Sequence, residues 1–81
     1  MVALNRSVAV AELHGPAEGL AALAAIDVGV LDDYQPYHAA RADLLARAER
    51  RHEALGAYDR AIELSTNAVE RAFLVRQRAA L

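Results

Sequence analysis

The stretch His52-Glu53-Ala54-Leu55-Gly56-Ala57-Tyr58-Asp59-Arg60-Ala61-Ile62-Glu63-Leu64 decides the fold. Ala54, Leu55, Tyr58, Ala61 and Ile62 recur every three or four residues, so they share one face of a helix. Alanines on either side of a single aromatic ring describe a helix that approaches its neighbour closely and fills the remaining gap with the ring.

Outward from this helix the same alternation of helix and turn continues. Before it, Tyr37, Ala40, Leu44 and Ala48 predict a helix from Tyr34 to about Ala48, and Arg50-Arg51 marks a short turn. Asp33 is the expected N-cap of that helix, and Pro36 fits its first turn. After it, Asn67 with Glu70 three residues later has the form of a capping box and opens a last helix over 67–81. Val69, Ala72, Phe73 and Ala80 are its expected inner face, with Arg71, Arg76, Gln77 and Arg78 outside. Arginines near the C-terminus of a helix are mildly favourable against its dipole.

The N-terminal third repeats the scheme. Val2 to Leu13 reads as a helix apolar around much of its circumference, through Leu4, Val8, Ala11, Val10 and Leu13. Val8-Ala9-Val10-Ala11 also fits a short strand, and the alanine content favours helix. His14-Gly15-Pro16 ends one helix and starts another, with glycine taking the left-handed turn and proline the first helical turn. The second helix runs from Pro16 to about Ala25 and turns Leu20, Leu23 and Ala24 inward. Asp27 to Asp33 is a linker holding Gly29. The predicted fold is therefore all-α: a single domain over 1–81 of antiparallel helical hairpins, 2–25 and 34–64, closed by a capping helix, 67–81.

Composition agrees with that class. Among 81 residues about a quarter are alanine, while glycine and proline together number six. The absence of cysteine excludes a disulfide scaffold. A net charge of −2 gives no strong field for nucleic acid or an anionic membrane. Residues 1–40 carry Arg6 against Glu12, Glu18, Asp27, Asp32 and Asp33, and residues 41–81 carry the remaining eight arginines with six acids. Met1 is followed by Val2-Ala3-Leu4-Asn5-Arg6, which has no form of a signal peptide. No apolar run reaches spanning length, so a cytoplasmic location is expected.

Residues that carry chemistry are few. His14, His38 and His52 lack the spacing that puts two ligands on one helix face, and His14 and His52 are expected at solvated turns. Asp32-Asp33 fits helix capping better than acid–base work. Ser7 and Ser65 have no evident histidine and acid alongside. No catalytic, cofactor-binding or metal-binding residue is expected, and the chain is not expected to be an enzyme. Arg47, Arg50 and Arg51, with Arg41, form the densest basic group, but Asp43, Glu49 and Glu53 are interspersed, and Asp43 with Arg47 makes an ordinary i, i+4 pair. Tyr34, Tyr37, Tyr58 and Phe73 are expected in the core.

Shifting the chain by 34 residues lays Gly15 on Glu49, Ala11 on Leu45 and Leu20 on Ala54. That period, with Ala54, Tyr58 and Ala61 as small–aromatic–small, resembles the tetratricopeptide repeat, about two copies of it. Gly15, Ala54, Tyr58 and Ala61 are the residues that carry it. A narrower resemblance spans nearly the whole chain. Val2-Ala3-Leu4-Asn5-Arg6-Ser7-Val8-Ala9-Val10-Ala11-Glu12 with Gly15-Pro16 and Gly19-Leu20 is one signature. Tyr37-His38-Ala39-Ala40-Arg41-Ala42-Asp43-Leu44-Leu45 and Asn67-Ala68-Val69-Glu70-Arg71-Ala72-Phe73-Leu74 are two more. In this order they resemble the C-terminal tetratricopeptide-like extension of a group of bacterial extracytoplasmic-function RNA polymerase sigma factors. Glu49 departs from that pattern, which usually has a turn glycine there, as does Gln35-Pro36 within an otherwise apolar helix start.

The resemblance implies a regulatory protein-interaction module in transcription initiation. Its partners would be sigma-factor domains or RNA polymerase subunits, and promoter DNA would be read only by upstream domains absent from this sequence. A free-standing tetratricopeptide-like adaptor unrelated to transcription is the alternative. Val2, Asn5, Arg6, Val10 and Leu13 form the candidate interaction face. A first helix so apolar is expected to pack against preceding structure, or to self-associate when exposed. No cofactor is expected.

Overall fold

The computed structural model describes residues 2–26 and 28–81, with the backbone alone for Val2, Ala3, Val28 and Val30. The helices are α1 (Val2–His14), α2 (Pro16–Ala24), α3 (Val28–Leu31), α4 (Gln35–Arg47), α5 (Arg51–Leu64) and α6 (Ala68–Ala79). No strand occurs among the described residues, and Val8–Val10 is helical. Helices α1 and α2 form one antiparallel hairpin and α4 and α5 the next. Helix α4 also packs on α2, and α6 packs on α5. The linker, expected to be irregular, folds part of its length into the single turn α3. Asp27 lies outside the described residues.

Both hairpin turns pass through positive φ. Gly15 has φ 99° and ψ 166°, a region open essentially to glycine alone, and Pro16 follows in the first turn of α2. Thirty-four residues later Glu49 has φ 61°. The turn therefore retains a positive φ where the glycine has been replaced, at the backbone cost a side chain incurs there.

Two apolar clusters make the core. Leu4, Leu23, Leu31 and Tyr37 join the first hairpin to the start of α4. Ala42, Leu45, Ala54, Ala57, Tyr58, Ala61 and Leu74 join α4, α5 and α6. Ala54 and Ala61 are fully buried, and Tyr58 is 3% exposed between them. The small–aromatic–small face of α5 is thus the central contact of the second hairpin. Gly19 does the corresponding work in α2, where its bare backbone meets Ala11 of α1 and Leu44 of α4.

Several expectations need correction. Ala24 is exposed, and Gly19 with Leu23 forms the buried face of α2. Helix α4 is buried on two sides, so His38, Ala42 and Leu45 are covered as well as Tyr37 and Leu44. Its N-cap is Tyr34, with no side-chain cap bond, because the Asp33 carboxylate instead accepts from Arg60 at 2.9 Å. Tyr34 and Phe73 are not core residues: they are 38% and 50% exposed.

The largest correction concerns α6. Its expected inner residues Val69, Ala72, Phe73 and Ala80 lie outward, and Leu74 is the buried one. Of the residues expected outside, Arg76 and Gln77 are exposed, while Arg71 and Arg78 reach back to clamp α6 on the preceding hairpin. Arg78 Nε donates to Asp59 Oδ1 at 2.7 Å, and Arg71 Nη2 donates to the Ser65 carbonyl at 2.7 Å. The start of the helix is as expected, with Asn67 Oδ1 accepting from the N–H groups of Val69 at 2.8 Å and Glu70 at 3.1 Å.

Candidate protein-interaction surface

Because α6 docks through one leucine and a pair of arginines, it stands off from α4 and leaves a cavity between them. The cavity has a volume of about 390 Å³ and is lined by Ala39, Ala40, Asp43 and Arg47 of α4, Tyr58 of α5, and Phe73, Leu74 and Gln77 of α6. Alanines at positions 39 and 40 keep the α4 wall low. Tyr58, placed by the close approach of α4 and α5, forms part of the floor.

The polar part of the lining is organised around Arg47. Its guanidinium lies 2.9 Å from Asp43 and 3.3 Å from Glu12, so it ties α4 to itself and to α1. Asp43 foremost, with Glu12, holds Arg47 in its charged form and raises its pKa. Burial raises the pKa of Tyr58, the Asp43 carboxylate adds to the rise, and Arg47 opposes it. The phenol therefore stays neutral at physiological pH. The groove thus presents the ion pair of Arg47 and Asp43 and the Gln77 amide beside apolar lining.

The candidate face on α1 is only partly assembled. Asn5, Arg6 and Leu13 are exposed, with Leu13 at 79%, while Val10 is half-buried and the Val2 side chain lies outside the described residues. Arg6 alone of these lines a second cavity, of about 310 Å³, with Ser7, Ala22, Ala25 and Ile26. Of the repeat residues, Ala54, Tyr58 and Ala61 meet in the core, and Gly15 sits at its turn.

The basic group disperses. Arg50 pairs with Glu53 at 2.6 Å, Arg51 donates to the Leu81 carbonyl at 3.0 Å, and Arg47 is engaged as above. His14 and His52 are exposed. His38 is buried, set edge-on to Tyr37 with ring centroids 4.9 Å apart and its Nε2 2.7 Å from the Asp32 carbonyl. No group of three or more histidine, cysteine or acidic side chains among the described residues is arranged to hold a metal ion. No helix among them is long and apolar enough to cross a membrane. The groove was not legible as a site in the sequence, since Asp43 and Arg47 read as a surface pair and Phe73 as core.

No family model matches the chain, and no solved structure matches it. Uncharacterized protein R00370 of Rhizobium meliloti (strain 1021) is 43% identical over 77 residues, which make up 95% of this chain and 18% of that protein. The chain thus spans about a fifth of the length of this relative.

Proposed function

We propose that this chain is a protein-interaction module that binds polypeptide and catalyses no reaction, and that it acts in the cytoplasm on the transcription machinery by contacting sigma-factor domains or RNA polymerase. The observation that carries the binding reading is the groove between α4, α5 and α6, whose lining pairs an apolar floor with Asp43, Arg47, Tyr58 and Gln77. The transcription reading is supported by the three ordered sequence signatures that resemble the extension of extracytoplasmic-function sigma factors. Similarity to a stretch forming only 18% of a bacterial protein is consistent with a module working within a larger polypeptide.

The test is capture of purified core polymerase and of separately expressed sigma domains by the immobilised chain. One of them should be retained, and Arg47→Ala with Gln77→Ala should reduce retention by about fivefold or more, the factor for ~1 kcal/mol at an interface. Both side chains are on the surface, where such changes scarcely affect folding. Retention of neither protein removes the transcription reading. Retention unaffected by both changes removes the groove as its site.

A further inference from the structure

We infer that the groove between α4, α5 and α6 takes an arginine side chain of a partner polypeptide, its guanidinium laid on the Phe73 ring and paired with the Asp43 carboxylate. The inference rests on the reading of the groove as a polypeptide site and adds the residue type that the site selects.

The first ground is the sign of the charge. Among the described residues, Arg47 is the one cation in the lining. Its guanidinium lies 2.9 Å from Asp43 and 3.3 Å from Glu12, so two carboxylates surround one cation and negative charge is in excess. A further carboxylate extends the α6 wall. Glu70 stands one helical turn before Phe73 and Leu74, on the side of α6 that runs on to Gln77. It is exposed and makes no ion pair among the described residues. Nearby arginines do not offset these acids. Arg78 is paired with Asp59, and Arg71 and Arg51 donate to the carbonyls of Ser65 and Leu81, none of them in the lining. The groove therefore favours a cation, whereas an acidic side chain meets an Arg47 already shared between two carboxylates.

The second ground is the state of Asp43. Its side chain is 49% exposed, and Arg47 is its ion-pair partner. An ionised carboxylate offers about four acceptor sites, so Asp43 accepts from a second guanidinium without releasing the first. Arg47, anchored also to Glu12 of α1, holds that carboxylate in place, which is why its removal is expected to weaken capture.

The third ground is the ring. Phe73 is 50% exposed and lines the same cavity as Asp43. The face of such a ring attracts a cation, and a planar, weakly hydrated guanidinium stacks on it better than an ammonium does. The methylene stem of an arginine covers apolar lining such as Ala39 and Ala40 while its charged head stays at the mouth. Gln77 in the same lining carries both a donor and an acceptor, matching the main chain of the partner.

The test is an NMR amide-shift titration of the 81-residue chain at low salt with acetyl-Leu-Arg-Leu-amide, taken to about 10 mM because a single side chain gives a dissociation constant on the order of 1 mM. Saturable shifts are expected at Asp43, Phe73 and Gln77. The lysine counterpart of the peptide should bind about threefold more weakly, and the glutamate counterpart should not saturate. Asp43→Asn and Phe73→Leu, each checked for helix content by circular dichroism, should weaken the arginine peptide by about fivefold or more. Glu53→Gln, at an exposed acid outside the lining, should leave binding unchanged. Absence of saturation, equal binding of the lysine or glutamate peptide, or binding indifferent to both Asp43→Asn and Phe73→Leu overturns the inference. Should the arginine peptide fail while polymerase or sigma capture still depends on Arg47 and Gln77, the inference falls and the groove stands as a polypeptide site. Should the peptide saturate the groove while capture fails, the inference stands and the transcription reading alone is lost.

Discussion

Gly19 and Gly56 both occupy helix interiors, and the same substitution should move stability in opposite directions at the two positions. Alanine gains roughly 1 kcal/mol over glycine from helix propensity alone. At Gly56 a Cβ would meet nothing within 4 Å, so Gly56→Ala should stabilise the chain by about that amount. At Gly19 a Cβ would stand 2.5 Å from the Ala11 Cβ, 3.1 Å from the Ala11 Cα and 3.2 Å from the Leu44 Cδ1. Leu44 can yield by rotation, but Ala11 has no rotamer to change. Relief requires α1 and α2 to separate by about 1 Å, back to ordinary carbon–carbon distances. That movement loosens Leu4 and Leu23, which share the first cluster. Overpacking costs roughly 1–3 kcal/mol, and against a rigid Cβ it falls in the upper part, about 2–3 kcal/mol, so after the propensity gain Gly19→Ala should destabilise by about 1–2 kcal/mol. The two variants should then melt some 8–24 °C apart, at about 4–8 °C per kcal/mol for a domain of this size. Urea unfolding followed by circular dichroism, with thermal melts alongside, measures both. A Gly19→Ala protein as stable as Gly56→Ala would refute the close packing of α1, α2 and α4 on which the arrangement of the two hairpins rests.

Glu49→Gly should stabilise by about 0.5–1 kcal/mol, because the positive φ at this turn burdens a residue with a Cβ, and denaturant midpoints will show it. Asn67→Ala removes two cap bonds at the start of α6 and should cost about 1 kcal/mol, visible as faster amide exchange in α6. Tyr58→Ala should cost about 3 kcal/mol or more, since the ring is 3% exposed in the central cluster, and a loss within experimental error would place it outside the core. The raised pKa of Tyr58 sets a pH dependence as well. Folding favours the neutral phenol, so that contribution is complete below the unfolded value near 10 and is lost as pH rises through the folded value. Stability measured from about pH 8 to pH 11 should fall less steeply in Tyr58→Phe than in the parent chain.

The hairpins were legible in the sequence because their signals are local. Gly15-Pro16 marks one turn, and the period of Ala54, Tyr58 and Ala61 marks a face that the second hairpin buries entirely. Helix α6 turns a different face inward from the one its periodicity suggests, for a physical reason. Periodicity finds the larger apolar stripe, Val69, Ala72, Phe73 and Ala80, but cannot tell whether a neighbour covers it. The docked side is held by Leu74 and by two arginines whose partners, Asp59 and the Ser65 carbonyl, are distant in type or are backbone. Asp33 has the right chemistry for a cap, yet Arg60, arriving from α5, takes its carboxylate. His38 is buried through an edge-on ring and a carbonyl six residues back, a combination that leaves no mark in residue type. The groove depended on all of these placements and so could not be read before them.

The two hairpins are joined more firmly than the last helix is joined to them. The linker carbonyl of Asp32 lies 2.7 Å from His38 Nε2 and accepts from Arg60 Nη2 at 3.2 Å, so α4 and α5 both grip the segment leading out of the first hairpin. On the other side, Gly19 and Leu44 fix the approach of α2 and α4. Helix α6 has no such double attachment. Within α6 the buried anchor is Leu74, helped by Leu81 beyond its end and by polar clamps on a surface where ion pairs contribute little. It is therefore the element expected to open first, since local stability follows the apolar contacts a segment buries. Yet α6 supplies one wall of the groove and the whole of the outward stripe. Anything that binds in the groove across Phe73 and Gln77 holds α6 to α4 and α5, and anything that covers the stripe orders the same helix from the other side. Occupation of either surface would lower the ordering cost left for the other.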